Sequence, residues 1–311
     1  MTTPFLSPRE AVAPADLIAK AQEFAAPRVA IARAGAPLPM EAAQQATAAE
    51  LMVPVFVGEA DMIRAEADKL GWDISAYALH DTTGEEDAGQ TAAKLCGAGE
   101  ADVLMKGQLH TDVFMKSAVA RDAGLRTGSR FVHIFHITHP DGGKPLLVSD
   151  AALNVSPDLP TRQSAILEVE KLLNALGNAR PKIAILSATE SAIPSVPSSM
   201  EAKELADWAA ENVPDADVSG PLALDLILSP KSAATKGLTD DPVAGQADAI
   251  IVPDIVSGNA IFKALVYLSG GCAAGLVTGA KVPILLTSRA DPPAARIASA
   301  ALAAISCGLP K

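Results

Sequence analysis

A hydroxyl, a guanidinium and a carboxylate follow one another at the end of one apolar run. The stretch VPILLTSRADPP (282–293) has five apolar residues in its first six and then presents Ser288, Arg289 and Asp291. Such a run is typical of a strand buried on both faces. An arginine that emerges from a buried strand needs an anionic partner, and a forked contact to phosphate or carboxylate contributes ~1.5–3 kcal/mol. Asp291 is also well placed to N-cap a helix that Pro292 starts.

A second stretch, LMKGQLHTDVFMK (104–116), places two lysines around a predicted helix start. Lys106 closes the strand, Gly107 allows a close approach of the backbone, and the helix begins at Thr111 or Asp112. Lys116 lies about one turn inside that helix. Two cations near a helix N-terminus predict an anion site, whereas the alternative is a loop lysine and a solvated helix lysine.

A third stretch, IIVPDIVSGNAIFKAL (250–265), ends a strand at Pro253 and Asp254 and opens a helix with Ser257, Gly258 and Asn259. Side-chain donors and free backbone N–H groups at a helix start suit phosphate. Ser257 or Asn259 could equally be an N-cap that contributes ~1 kcal/mol. Both interpretations remain open from the residues alone.

The elements that must position these residues alternate along the chain. Eight apolar runs predict strands at 28–33, 52–58, 101–107, 130–137, 144–150, 182–188, 247–254 and 282–288, and helical spacing follows at 40–51, 61–70, 86–96, 161–176 and 198–212. This alternation predicts an α/β fold with a largely parallel sheet, whose strand ends would share one crevice. The turn-rich THPDGG (138–143) predicts an antiparallel hairpin between the fourth and fifth runs.

Several other kinds of site are excluded by spacing. His133 and His136 point to opposite faces of a strand, so they cannot chelate one metal, and no HExxH motif or carboxylate cluster is present. The chain lacks GxxxxGK[ST], a convincing GxGxxG after a strand, and a GxSxG around Ser288. We therefore predict no metal site, no P-loop and no dinucleotide fingerprint.

Composition narrows the class of protein. The 311 residues carry a formal charge of -11, with 49% hydrophobic residues, which favours a well-packed protein and disfavours nucleic acid as a partner. The acidic run GEEDAG (84–89) predicts a solvated helix start. Three scattered cysteines suit core thiols in a reducing compartment, and no signal peptide or membrane span is predicted. A cytoplasmic location is expected.

The three stretches, together with SRFVHIFHI, LLVSDAALNVSPDL and KIAILSATES, occur in an order that resembles the phosphate acetyltransferase and phosphate butyryltransferase family. The resemblance implies reversible transfer of a short acyl group, acetyl to butyryl, between coenzyme A and inorganic phosphate. Acyl-CoA is then a substrate, and no cofactor is needed. Two other functions stay open: a metal-dependent hydroxy-acid dehydrogenase of the same fold and a non-catalytic acyl-CoA-binding module.

The resemblance also implies an isocitrate/isopropylmalate dehydrogenase-like fold with the active site in the cleft between two domains. We expect domain 1 to comprise residues 1–130 and 283–311, and domain 2, which contains the hairpin, to comprise residues 131–282. A homodimer is expected.

By position, Ser288 and Arg289 match the family's paired serine and arginine at the reaction centre. Lys116 lies at or near a position where many members have arginine, and Ala295 lies where the acetyl-specific branch tends to carry an acid. The SRxD pattern that contains Asp291 resembles the butyryl-type branch. The resemblance thus leaves Asp291 as either the helix cap or the general base.

Overall fold

The protein divides into two compact units. The structure, a computed structural model, describes residues 4–286 and 290–311. One unit, here called the terminal unit, consists of Ala11–Ser129 and Ala274–Lys311, and the other, the central unit, consists of the chain up to Glu10 and Arg130–Ala273.

The described residues form alternating strands and helices, as the periodicity predicts. The strands are β1 Arg28–Ala32, β2 Val53–Gly58, β3 Leu79–Asp81, β4 Val103–Lys106, β5 Val132–Thr138, β6 Leu146–Ser149, β7 Lys182–Leu186, β8 Asp217–Leu222, β9 Ala249–Ile251, β10 Cys272–Thr278 and β11 Ile284–Leu285. The helices are α1 Ala15–Ala21, α2 Pro37–Ala48, α3 Ala60–Lys69, α4 Gly84–Ala98, α5 Thr111–Val119, α6 Leu159–Ala175, α7 Pro197–Asn212, α8 Leu224–Leu228, α9 Pro230–Thr235, α10 Ile255–Tyr267 and α11 Pro293–Cys307, with a 3₁₀ turn at Arg121–Ala123.

Each predicted strand run and helix therefore contains an observed element. The predictions omitted β3, β8 and β10, which are short or interrupted by glycine and proline, so their apolar alternation is weak.

The terminal unit is built on a parallel sheet. Its strand order is β3-β2-β1-β4-β11, with β10 antiparallel beside β11. Ala32 lies in register with Lys106, and Leu285 lies in register with Met105. The carboxyl ends of β1, β4 and β11 therefore meet at one edge, which is where ligands bind in open parallel sheets.

The central unit confirms the predicted hairpin. Strands β5 and β6 pair antiparallel, and β6, β9, β7 and β8 continue the sheet as parallel neighbours. Its core is made of aliphatic side chains such as Val148, Ile250 and Leu222 between the sheet and helices α8 to α10. Burial on both faces explains the continuous apolar runs of these strands.

The division of the chain differs in detail from the expected domains 1–130 plus 283–311 and 131–282. Residues before Ala11 group with the central unit, where the Ser7 N–H donates to the Tyr267 carbonyl over 2.9 Å. The terminal unit resumes at Ala274 because the remainder of β10 pairs with β11. In the described part of the chain, no helix is long and apolar enough to cross a membrane.

Candidate active site

The predicted reaction-centre residues fall on both sides of a gap in the description. Ser288 and Arg289 lie outside the described residues, whereas Asp291 lies inside them. The prediction that Asp291 caps a helix starting at Pro292 is wrong by one position. Pro292 itself is the N-cap, without a side-chain cap hydrogen bond, and Pro293 is the first helical residue. Its proline-rich start fixes the backbone without a capping side chain.

The segment before α11 is held by an arginine that the sequence analysis did not select. Arg296 Nη1 donates to the Asp291 carbonyl oxygen over 2.6 Å. Arg296 is on the second turn of α11, and the bond reaches back to the residue before the cap. The backbone that carries Asp291 is therefore anchored to this helix by a charge-assisted hydrogen bond.

Lys106 ends β4 at the carboxyl edge of the sheet, as predicted. The close backbone approach expected at Gly107 is real, but the approaching group is the chain itself. A Cβ atom at Gly107 would lie 2.4 Å from the Ala32 carbonyl oxygen and 2.6 Å from that of Arg33. The Gly107 N–H donates to the Ala32 carbonyl oxygen over 2.9 Å, so it is not available to a ligand.

Thr111 begins α5, as predicted, and His110 is its N-cap. Lys116 is on this helix with its side chain 81% exposed and its Nζ 4.0 Å from Glu86 Oε1. This is the environment of a solvated helix lysine. A surface ion pair of this kind contributes little to stability. A role for Lys116 in substrate binding stays a prediction.

In the central unit, α10 begins at Ile255, two residues before the predicted opening at Ser257. Asp254 is the N-cap, and its carboxylate accepts from the Ser257 N–H over 2.8 Å. The Gly258 N–H donates to the Asp254 carbonyl oxygen over 3.2 Å. The prediction of free backbone donors at Ser257 and Gly258 is therefore wrong, because an aspartate three positions before the serine outcompetes it as cap.

The side chains of the same stretch also have partners. A Cβ atom at Gly258 would lie 2.9 Å from the Ala151 Cα atom, so this glycine permits close packing. Ser257 Oγ donates to the Asp254 carbonyl oxygen over 3.0 Å, and Asn259 Nδ2 makes a long 3.4 Å contact with the Ala151 carbonyl oxygen. Lys106 and Gly107 lie in the terminal unit, whereas these three residues belong to the central unit.

A polar cluster at the ends of β1 and β2 was not predicted. Arg33, with φ of 56°, donates to Glu85 Oε1 over 3.1 Å and pairs with Glu59 Oε1 at 3.3 Å. Glu85 Oε2 accepts from the backbone N–H of His110 and lies 2.8 Å from its Nδ1. The run GEEDAG does start a helix, as predicted, but Glu85 is an ion-pair partner and not only a solvated residue. In the sequence, Arg33 and Glu59 each follow a buried strand directly, and this position could have marked them as candidate site residues.

Electrostatics within this cluster favour the ionised carboxylates. The His110 N–H and imidazole hold the pKa of Glu85 below its usual range, and Arg33 adds to the effect. For Glu59, burial acts to raise the pKa, but hydrogen bonds from the backbone and Arg33 outweigh it and leave the pKa lowered. Both groups are thus negative partners of Arg33 at neutral pH.

The cysteines are unsuited to nucleophilic chemistry. Cys96 and Cys272 are buried and Cys307 is half-buried. Burial raises the pKa of Cys96 to about 12, that of Cys272 to about 11 and that of Cys307 to about 12. Thiols of such high pKa carry almost no thiolate at neutral pH, which supports their interpretation as core residues.

The chain matches one protein-family model, described as "Phosphate acetyl/butaryl transferase", over residues 85–304. The chain belongs to this family. The match includes every candidate site residue from Lys106 to Asp291, whereas Arg33 and Glu59 lie before it. The resemblance noted from the ordered motifs is confirmed.

Two relatives show the two branches of the phosphate acetyl/butyryl transferase family. The chain is 38% identical to a phosphate acetyltransferase of Rhizobium meliloti over 256 residues, which is 82% of this chain and 81% of the relative. It is 32% identical to a phosphate butyryltransferase of Clostridium acetobutylicum over 294 residues, covering 94% and 97% of the two chains.

Solved structures support the same family fold. A branched-chain phosphotransacylase of Enterococcus faecalis superposes with a TM-score of 0.79 at 28% identity, covering 90% of this chain and 98% of the other. A 4-hydroxythreonine-4-phosphate dehydrogenase of Salmonella typhimurium, described as putative, superposes with a TM-score of 0.58 at 12% identity, covering 90% and 99%. The second likeness shows the fold alone. The predicted α/β class is confirmed.

Proposed function

We propose that this protein reversibly transfers a short acyl group, acetyl to butyryl, between coenzyme A and inorganic phosphate. The observation that carries the proposal is the family match over residues 85–304, with relatives named as acetyl and butyryl transferases at 32% to 38% identity. The products are acyl phosphate and free CoA in one direction, and acyl-CoA and phosphate in the other.

The reaction is proposed to be a direct transfer at the carboxyl end of β11. A phosphate oxygen forms a bond to the acyl carbon while the C–S bond breaks, and the CoA sulfur leaves with the electron pair. Arg289 would hold the phosphate and stabilise charge on the acyl oxygen, and Ser288 would donate a hydrogen bond to that oxygen or to the departing sulfur. The raised pKa values of Cys96, Cys272 and Cys307 support direct transfer without an acyl-cysteine intermediate.

Proton transfer at sulfur is assigned to Asp291. In the direction that makes acyl-CoA, the CoA thiol has a pKa of ~8.5 and must lose its proton, and a base beside it contributes ~10²–10⁴ in rate. The N-cap position of α11 is occupied by Pro292, one residue beyond Asp291, which supports the assignment of this carboxylate to proton transfer.

We further propose an isocitrate/isopropylmalate dehydrogenase-like arrangement with the active site in a cleft between two domains. The likeness to 4-hydroxythreonine-4-phosphate dehydrogenases supports the fold. The candidate residues Lys106, Gly107, Thr111 and Lys116 would come from one side, and Ser257, Gly258 and Asn259 from the other. No metal or bound cofactor enters the proposed chemistry, and a cytoplasmic location is proposed.

The test follows free thiol when acyl-CoA of two to five carbons is mixed with phosphate. We expect phosphate-dependent release of CoA, with Arg289→Ala reducing turnover strongly and the exposed Arg64→Gln as a matched control on α3. No release with any chain length would contradict the proposal. Calorimetry showing tight CoA binding without turnover would instead favour the binding module.

The second candidate function, a metal-dependent hydroxy-acid dehydrogenase, is motivated by the likeness in fold to dehydrogenases and can be tested separately. Reduction of NAD by a hydroxy acid in the presence of Mg²⁺ would favour a dehydrogenase. In the described part of the chain, no group of three or more histidine, cysteine, aspartate or glutamate residues is placed to hold a metal ion. We therefore expect no NAD reduction.

A further inference from the structure

A small cavity lies in the terminal unit at the carboxyl end of β4. It has a volume of ≈ 20 Å³ and is lined by the start of α2 at Leu38 and Pro39, the end of β4 at Lys106 and Gln108, and Arg296 of α11. One water-sized sphere requires roughly 10–15 Å³. The cavity therefore admits one or two oxygen-sized atoms, such as the edge of an oxyanion, but no acyl chain.

Arg296 is buried in this cavity wall with incomplete hydrogen bonding. The residue is 9% exposed, and its buried Nε has no hydrogen-bond partner among the described residues. Its Nη1 donates to a backbone carbonyl, that of Asp291, which does not neutralise the charge. No carboxylate stands beside it among the described lining residues, and a buried guanidinium without a counter-charge is costly, so its position suits an anion.

Both charged side chains that line the cavity among the described residues are positive. Among the described residues no carboxylate lines it, and Lys106 adds a second cation. The first and third residues of α2 are prolines, which have no N–H. The second residue, Leu38, has an N–H in the first turn, where no carbonyl group of the helix can accept it. The positive end of the α2 dipole adds to the attraction for an anion.

The backbone donors on the β4 side are already used. The Gly107 N–H donates to the Ala32 carbonyl oxygen and the Gln108 N–H to that of Arg33, each over 2.9 Å. Recognition is therefore left to the α2 N-terminus and to the polar side chains of the lining, with Arg296 foremost because its Nε has no hydrogen-bond partner among the described residues. This local positive site contrasts with the net charge of -11 on the whole chain.

We infer that this cavity is an oxyanion-binding subsite, in which Arg296 is the principal ligand for phosphate oxygens. The inference rests on the proposed function only for the identity of the anion. Arg296 lies five residues beyond Asp291 and anchors the backbone of that residue. Binding of phosphate oxygens by the Arg296 guanidinium would therefore link substrate binding to the position of the proposed base.

The binding test does not require turnover. Inorganic phosphate is titrated against an equal ionic strength of NaCl, and the increase in melting temperature is measured for wild type, Arg296→Gln, Arg296→Lys and the control Arg64→Gln. Wild type and Arg64→Gln should be stabilised by phosphate, and Arg296→Gln should lose most of that increase. A lower melting temperature of Arg296→Gln without phosphate reflects only the lost bond to Asp291, so the phosphate increment is the deciding quantity.

The kinetic test identifies the source of the anion. If the subsite takes inorganic phosphate, Arg296→Gln should raise the KM for phosphate roughly tenfold or more. If it takes a phosphate group of CoA, the KM for CoA should rise while that for dephospho-CoA or a shorter thiol does not. Arg296→Lys should be intermediate, because lysine keeps the charge but not the fork, and this variant serves if Arg296→Gln does not fold.

Two failures can be told apart. An inactive wild type contradicts the proposed function, but the phosphate-dependent increase in melting temperature still tests the subsite. An active wild type whose Arg296 variants keep both KM values and the full phosphate increment overturns the subsite.

Discussion

At the scale of single residues, Asp291 is the residue to which the sequence assigned two alternative roles, helix cap or general base. A cap would have to accept from the first turn of α11, and Pro292 occupies the cap position instead. By contrast, Asp158 is a true cap, because its carboxylate accepts from the Thr161 N–H over 3.0 Å at the start of α6. The two aspartates therefore form a matched pair.

We predict that Asp291→Asn lowers kcat by ~10²–10⁴ with little change in melting temperature, since the proposed general base is lost while asparagine keeps the side-chain shape and Pro292 keeps the N-cap position. Asp158→Ala should show the reverse, with normal kcat and a loss of ~1 kcal/mol of stability. Steady-state kinetics and thermal melts of both variants provide the measurement. If Asp291→Asn behaved like Asp158→Ala, the assignment of the base would be wrong.

The buried histidines of β5 predict the acid response of the protein. Burial lowers the pKa of His133 to about 4, partly offset by Asp150, and burial likewise lowers that of His136 to about 4. An unfolded histidine titrates near ~6.5, so below that pH the unfolded chain binds more protons than the folded one. Stability should therefore be unaffected above pH ~6.5 and decrease as the pH falls from ~6.5 towards 4.

For His136 alone, this difference amounts to roughly 2 kcal/mol by pH 5. We predict that His136→Leu reduces the loss of unfolding free energy between pH 7 and pH 5 by about that amount. Urea unfolding at both pH values measures it, with the surface variant His139→Asn as control. An unchanged pH dependence in His136→Leu would show that the residue is protonated or exposed.

At the scale of elements, glycines on α4 show where close packing overrides helix propensity. A Cβ atom at Gly97 would lie 1.8 Å from the Ala123 carbonyl oxygen, a backbone atom of the 3₁₀ turn. A Cβ atom at Gly89 would lie 2.7 Å from Ser117 Oγ, which can rotate away. Alanine at either position gains about 1 kcal/mol of helix propensity.

We predict that Gly97→Ala destabilises the protein by ~1–3 kcal/mol despite its better propensity, because the backbone contact must open. Gly89→Ala should change stability by less than ~1 kcal/mol in either direction, since its propensity gain offsets the smaller clash. Equilibrium unfolding of the pair gives the comparison. Equal effects would mean that the contact of α4 with the 3₁₀ turn is loose.

The start of α10 gives a second prediction at this scale. Asp254→Ala removes the cap and should cost ~1–2 kcal/mol, whereas Ser257→Ala keeps the N–H that the cap binds and should cost less than half of that. Chemical denaturation measures both. An equal loss would show that the serine hydroxyl contributes as much as the carboxylate, and a raised KM in Ser257→Ala at normal stability would place that hydroxyl at the substrate.

At the scale of the whole molecule, the surface of α10 allows a test of the expected homodimer. Gly258 is the one residue of this apolar helix that is buried, and exposed positions recur at Val256, Ala260, Lys263 and Tyr267, which is the spacing of a single helix face. Val256 is 74% and Tyr267 54% exposed. Apart from Lys263 this face is apolar or aromatic, which is typical of a protein interface, and a second copy could cover it symmetrically.

We predict a mass in solution of twice the 31.8 kDa chain, and a monomer for Val256→Glu combined with Tyr267→Glu. Light scattering after size exclusion provides the mass. Met62→Glu, on the exposed surface of α3, is the control and should leave the dimer intact. A monomeric wild type would contradict the dimer, and a dimeric double variant would exclude this face.

The sequence by itself determined the α/β class, eight strand positions, the hairpin and the family. Strand burial and helix periodicity are local properties, so they can be read from neighbouring residues, as in RVAIAR for β1 or THPDGG for the hairpin. The ordered motifs identified the family because their combination is specific, even where each is short.

Tertiary structure decided which side chains meet. Arg33 pairs with Glu85 across 52 positions, and Arg296 reaches the cavity at Lys106 from the far end of the chain. No local pattern encodes such pairs, because contact across a sheet edge depends on strand order and register. Two helix caps differ from the predicted positions for a related reason. At α10 Asp254 caps three residues before Ser257, at α11 Pro292 caps one residue after Asp291, and three-dimensional geometry selects between the candidates.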